Sequence, residues 1–168
     1  MDTPVLFSEK QRFQQWWIWA ILLVINGIVI FDMIWQVVLA QQPNNKLVGD
    51  MELILISSVF MGFTVLFFMC NLRTRITADG IDVRLFPVHL TFKHYSWTDI
   101  EKAYVREYSP IREYGGWGLR YSITGAGKAY NISGNMGLQL ELKSGKKLLI
   151  GTKKAEELSA LLENIKIS

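Results

Sequence analysis

Residues Trp16–Trp35 read WWIWAILLVINGIVIFDMIW. As an α-helix this run is about 28 Å long, close to the roughly 30 Å of hydrocarbon in a bilayer. Trp16, Trp17 and Trp19 stand at one end and Trp35 at the other. Indole rings favour the headgroup zone, where an apolar body and a polar N–H are both satisfied. Asn26 and Asp32 are the polar side chains in the run. The stretch predicts a helix whose solvent is lipid, and that expectation sets the rest of the fold.

A second run, MELILISSVFMGFTVLFFMC, covers Met51–Cys70. Ser57, Ser58, Gly62 and Thr64 are small residues suited to close helix contact. The linking QQPNNKLVGD, with Pro43, Asn44 and Asn45, reads as a turn, so the expected arrangement is a transmembrane hairpin over residues 16–72. Lys10 and Arg12 precede it, Arg73, Arg75 and Arg84 follow it, and Lys46 is the one basic residue of the link. That asymmetry predicts a multi-pass protein with both termini in the cytoplasm. Residues 1–15 are then an N-terminal cytoplasmic segment. A signal-peptide reading, with cleavage after Val38-Leu39-Ala40, fits less well: the apolar core is too long, Asp32 interrupts it, and a second run follows.

Working outward, the 168 residues are 50% hydrophobic, and the apolar mass concentrates between Trp16 and Cys70. The remaining residues, 73–168, suffice for one compact domain and not for two. From Arg73 onward 15 Lys/Arg face 10 Asp/Glu, while the first 72 residues hold 3 basic and 5 acidic groups. A mildly basic domain suits an anionic leaflet and lacks the dense basic stripe of a nucleic-acid binder. The single cysteine, Cys70, lies in an apolar run and can form no intramolecular disulfide.

After Arg73 the pattern changes to alternation. RTRITADGIDVRLF reads as two strands about Ala78-Asp79-Gly80. LTFKHYSW alternates, Ser96-Trp97-Thr98-Asp99 is a capped turn, and IEKAYVREY is a fourth strand. GLRYSIT, KAYNIS, GLQLELKSG and KKLLIGT follow, with Ser144-Gly145 turning the last hairpin and Leu138, Leu140 and Leu142 on one side. Thr152 is a candidate N-cap for a final helix carrying Ala155, Leu158, Leu161, Leu162 and Ile165 at helical spacing. The expected domain has about seven antiparallel strands in an open barrel, closed by a C-terminal capping helix.

That order of elements resembles the pleckstrin-homology-like fold. More specifically, it is similar to the bacterial membrane proteins in which a transmembrane hairpin precedes such a domain. Ser96-Trp97-Thr98-Asp99-Ile100, Gly115-Gly116-Trp117-Gly118 and LQLELKSGKKLLIGT carry the resemblance, which covers nearly the whole chain. It implies an inner-membrane location and speaks to fold more than to activity. Eukaryotic relatives bind phosphoinositides through a basic first loop. Here that loop is the short, acidic Ala78-Asp79-Gly80, so phosphoinositide binding is not expected.

No catalytic constellation is legible. Ser109 and Ser133 lack a positioned base, and Gly125-Ala126-Gly127-Lys128 lacks the spacing and the Ser/Thr of a phosphate loop. His89 and His94, five apart, would point to opposite faces of a strand, so no shared metal is expected. No cofactor is expected either, and the chain reads as a non-enzyme. The segment Tyr108–Gly118 is the most unusual. With Arg120 beyond it, it gathers Tyr108, Arg112, Tyr114 and Trp117 about Pro110 and glycines, and aromatic and Arg side chains are frequent binding anchors. Lys143, Lys146 and Lys147 form a candidate lipid-facing basic group, with Lys153 and Lys154 close in sequence. The expected function is a membrane-anchored binding or scaffold module, with the bilayer and a protein, or a second copy of the chain, as partners and no nucleic acid. The alternative from another class is a small transport or channel-associated subunit using Asp32 and Asn26.

Overall fold

The computed structural model describes residues 4–13, 15–39, 46–122 and 125–165. The chain divides into two compact units, Gln14–Met69 on one hand and Met1–Phe13 with Cys70–Ser168 on the other.

The first unit is helical. Helix α1 spans Trp16–Leu39 and α2 spans Lys46–Met69. Within α1, Trp16–Trp35 is long and apolar enough to cross a membrane, and none of that window is buried within the protein. In α2 the stretch Ile54–Met69 is also apolar, inside the expected Met51–Cys70. The helix starts earlier than that run, at Lys46, and its first turns hold Lys46, Asp50 and Glu52. Much of the expected linking turn is therefore helix, and its Pro43, Asn44 and Asn45 lie outside the described residues. Cys70 sits one residue past α2, partly buried with a free thiol.

Asn26 joins the two helices. Its Nδ2 donates to Leu22 O at 2.6 Å and to Thr64 Oγ1 at 2.9 Å. Ser58, another small polar residue of α2, donates back to Ile54 O at 2.6 Å. Trp19 and Phe68 meet edge to face, 6.1 Å between centroids. Asp32 is exposed on α1.

Among the described residues the second unit has nine strands in two sheets. One sheet has β1 (Val5–Arg12), β2 (Asn71–Thr77), β3 (Gly80–Phe86) and β4 (Lys93–Ser96) in that order. The other runs β5 (Ile100–Glu107), β8 (Met136–Leu142), β9 (Lys147–Gly151), β7 (Lys128–Asn131), β6 (Gly118–Tyr121). Two features depart from the expected antiparallel set of about seven. β7 and β9 pair in parallel. Residues 5–12, expected to be a cytoplasmic tail, are a strand antiparallel to β2. β1 escapes detection by pattern because its inward side chains are Phe7, Glu9 and Gln11, two of them polar. Among the described residues the sheets form no closed barrel.

The main core lies between the sheets. Phe7, Leu72, Ile76, Ile81, Val83 and Leu85 from the first meet Ile100, Tyr130, Ile132, Leu138, Leu140, Leu148 and Ile150 from the second. Helix α4 (Ala155–Asn164) adds the buried Leu158, with Leu161, Leu162 and Ile165 packed against the same cluster, as the apolar stripe predicts. Thr152 is not the N-cap; that position is Lys154, whose N–H donates to Thr152 Oγ1 at 3.0 Å. The Ser96 expectation holds, since Ser96 Oγ accepts from Thr98 N at the 3-10 turn Trp97–Asp99. In the hairpin β2–β3, Asn71 lies opposite Phe86 and Ile76 opposite Ile81. The strand expected from Leu90 begins only at Lys93.

The second sheet is also covered on its back. There Ala129 and Leu149 pack with Tyr108 and Tyr114. Burial on both faces explains why the consecutive Leu148, Leu149 and Ile150 of β9 are all apolar and all buried.

Candidate functional site

The segment expected to be a binding loop is a lid over that back face. Ser109 caps a one-turn helix, α3 (Pro110–Tyr114): its Oγ accepts from Arg112 N, and Gly115 closes the turn at φ +69°. Glu113 accepts from Ser109 N at 2.7 Å and from Arg106 Nη2 at 2.7 Å. The Arg106 hydrogen bond leads in holding the Glu113 carboxyl below its usual range. Burial works to lower the Arg106 guanidinium, but Glu113 outweighs it and the net direction is up. Arg106 Nε also donates to Gln139 Oε1, tying the lid to β8.

Tyr108 and Tyr114, named as surface anchors, are therefore core residues, each 3% exposed, their rings edge to face at 6.0 Å. Burial pushes both phenols up. An aromatic-rich loop gains more by covering the apolar back of a sheet than by facing water. Arg112 stays exposed and Trp117 is half-buried. Arg120 is exposed on the same back face, its Nε donating to Trp117 O at 2.9 Å. These five residues do not converge on one pocket.

A concave site lies elsewhere, at the end of β6 and β7 beside the β8–β9 turn. It is a cleft of about 720 Å³ lined by Tyr95, Tyr121, Lys128, Leu142, Lys146 and Lys147 among others. The register places Tyr121 opposite Lys128. Lys128 Nζ sits 5.1 Å from the Tyr121 ring centroid and 4.9 Å from that of Tyr130, within cation–π range. Burial first, then the neighbouring Tyr130, push the Tyr95 hydroxyl well up. Burial does the same to Tyr130.

The cleft floor depends on Gly127, which has φ +85°. A Cβ there would fall 2.2 Å from Lys147 O, so only glycine lets this loop lie against β9. Ser122 N donates to Gly127 O at 2.7 Å and closes the loop.

Of the three basic residues expected to face lipid, Lys146 and Lys147 line this cleft, and Lys143 is exposed at the turn. Lys147 Nζ lies 3.8 Å from Glu141 Oε1, so its charge is partly compensated. Lys128 and Tyr121, the centre of the cleft, were not singled out from sequence. The one available signal was Gly-Ala-Gly-Lys with Tyr130 two residues on, and only the packing of one sheet on the other brings Tyr95 beside them.

His89 and His94 do not share a site. His94 Nδ1 lies 2.8 Å from Asp82 Oδ1. His89 is buried, its ring edge to face with Tyr130 at 5.0 Å. Among the described residues, no group of three His, Cys, Asp or Glu side chains could hold a metal ion.

None of the curated proteins compared with the chain matches it. The model of a family of unknown function, DUF6141, matches residues 1–166. With all but the last two residues covered, the chain belongs to the DUF6141 family.

Proposed function

We propose that this protein is a membrane-tethered, non-enzymatic binding module that grips an acidic segment of a protein partner in the cleft around Lys128. In this reading α1 and α2 form a hairpin in the lipid of the inner membrane. The domain is pleckstrin-homology-like and lies on the cytoplasmic side. The unburied apolar length of α1 supports the tether. The basic residues flanking the helices support the orientation.

The observation that carries the binding assignment is Lys128 held over two tyrosine rings in a cleft of about 720 Å³. Lys128 and Lys146 present ammonium donors to the cleft, and such donors recognise carboxylates. The aromatic walls accept the apolar stems of the same segment. A concave site admits side chains, whereas a flat bilayer surface cannot enter it.

The test is crosslinking in membranes followed by recovery of the full-length chain, comparing wild type with Tyr121→Ala/Lys128→Ala. Both side chains are at the cleft wall, so the fold should survive, which circular dichroism checks. Loss of wild-type partners from the folded double variant is the expected result. An unchanged partner set removes the assignment.

A further inference from the structure

The outer face of the four-stranded sheet carries a charge arrangement with no internal explanation. Register puts Lys10 opposite Arg73, and Arg73 opposite Arg84, so three cations stand side by side on neighbouring strands. Strands lie about 4.8 Å apart, and like charges directly opposite one another oppose pairing. Arg12 and Arg75 occupy the flanking rows of the same face. Asp82 lies opposite Arg75 in the register, but among the described residues no ion pair joins an acidic side chain to any of the five. The acid of β1, Glu9, points inward to Thr152 and Lys153. Asp82, the acid on this face, is held by His94. The Nε atoms of Arg73 and Arg84 are shielded from solvent and find no hydrogen-bond partner. Arg12, then Arg73, push the Lys10 ammonium down from its ordinary value. The fold concentrates five cations on this face against one carboxylate, that of Asp82.

A second feature adjoins it. The segment between β3 and β4 folds over this face, placing the Phe92 ring 4.7 Å from the Arg75 guanidinium carbon and 4.8 Å from that of Arg84. The same segment exposes Val88 (54%) and Leu90 (74%). Exposed apolar tips beside a cation cluster match a headgroup layer, with phosphates outside and acyl chains beneath. Connectivity points the same way. Arg12 precedes α1 by four residues and Asn71 follows α2 by two, so the cation rows lie on the strand ends that run into the apolar helices.

The geometry points to this face as a docking surface for an anionic bilayer, with Lys10, Arg12, Arg73, Arg75 and Arg84 bound to lipid phosphates and Val88 and Leu90 seated among the headgroups. The inference rests on the membrane-tether reading and deepens it. The chain would not hang free on its tether but lie flat on anionic lipid.

The test uses the full-length chain carrying Cys70→Ser and Leu90→Cys, labelled at the introduced thiol with a polarity-sensitive dye. It is reconstituted into phosphatidylcholine vesicles with or without phosphatidylglycerol. The expected result is a blue shift that needs phosphatidylglycerol and weakens at high salt. Arg73→Gln/Arg84→Gln should reduce it, each lost cation weakening docking by about fivefold. Neither change removes core volume, and a matched Arg73→Lys/Arg84→Lys variant should keep the shift. An emission spectrum indifferent to phosphatidylglycerol overturns the inference, as does a shift unaffected by the glutamine variant. Binding of polyglutamate at the same residues, without any lipid response, reassigns the face to an acidic protein. Carbonate extraction reports on the tether separately. A chain that washes out of the vesicles refutes the membrane reading itself, while a retained chain with an indifferent dye refutes only the docking.

Discussion

Glu9 and Thr152 are 143 residues apart in sequence and 2.6 Å apart in space, the threonine hydroxyl donating to the buried carboxylate. The other carboxylate oxygen accepts from Lys153 N at 2.8 Å. Gln11, two residues on, donates from Nε2 to Gly151 O at 2.7 Å. Together they fasten β1 to the end of β9 and the start of α4. A charge at this depth is tolerated only because its lone pairs are met.

Glu9→Ala should therefore destabilise the domain by about 1–3 kcal/mol, because Thr152 and the Lys153 amide lose their acceptor. Thermal unfolding in detergent measures it. Thr152→Val alone should cost less than Glu9→Ala, and the double variant should cost less than the sum of the two, because the pair is coupled. Strict additivity would mean the contact contributes nothing.

Gly127→Ala combines a left-handed backbone with a Cβ set 2.2 Å from Lys147 O. It should cost more than about 1 kcal/mol and shift the cleft wall. Gly145, at the β8–β9 turn, also has positive φ but open space around its Cβ position. Gly145→Ala should accordingly be the milder change. Comparing the two by chemical denaturation separates steric clash from backbone strain.

His89 is held below its ordinary value of 6.5, first by burial and then by Lys93 and Lys128. The folded state resists protonation that the unfolded state accepts. Stability from this residue is therefore level above pH 6.5 and falls as pH drops below it, until the folded ring itself protonates. His89→Gln should flatten that slope. Unfolding midpoints at several pH values between neutral and mildly acidic would show it, and parallel curves for both proteins would contradict it.

Glu113 is lowered from 4.5 by Arg106, so the stability it lends is present above that value and lost as pH falls through the folded value. Glu113→Gln should remove this acid-side dependence and loosen the α3 lid. Arg106→Ala should cost about 1–3 kcal/mol, leaving Glu113 and Gln139 without their donor. Hydrogen exchange at Tyr108 and Tyr114 reads the lid directly and should quicken in both variants.

Local pattern made part of this molecule legible. The apolar run of α1 is set by composition over twenty consecutive residues, which no pairing can alter. The β2–β3 and β8–β9 hairpins and the α4 stripe follow from periods of two and of 3.6 between nearby residues. Ser96 at its turn follows from one side chain reaching two residues ahead.

Tertiary structure decided everything that depends on which strand lies beside which. β1 has polar residues on its buried face because Glu9 and Gln11 find partners more than 100 positions away. Tyr108 and Tyr114 are core because β7 and β9, paired in parallel, present a second apolar face to cover. The row Lys10, Arg73, Arg84 exists only through register, and a shift of one residue would send these side chains into the core. Periodicity encodes what a segment is. Which distant segment completes it is fixed only by the free energy of the assembled sheets.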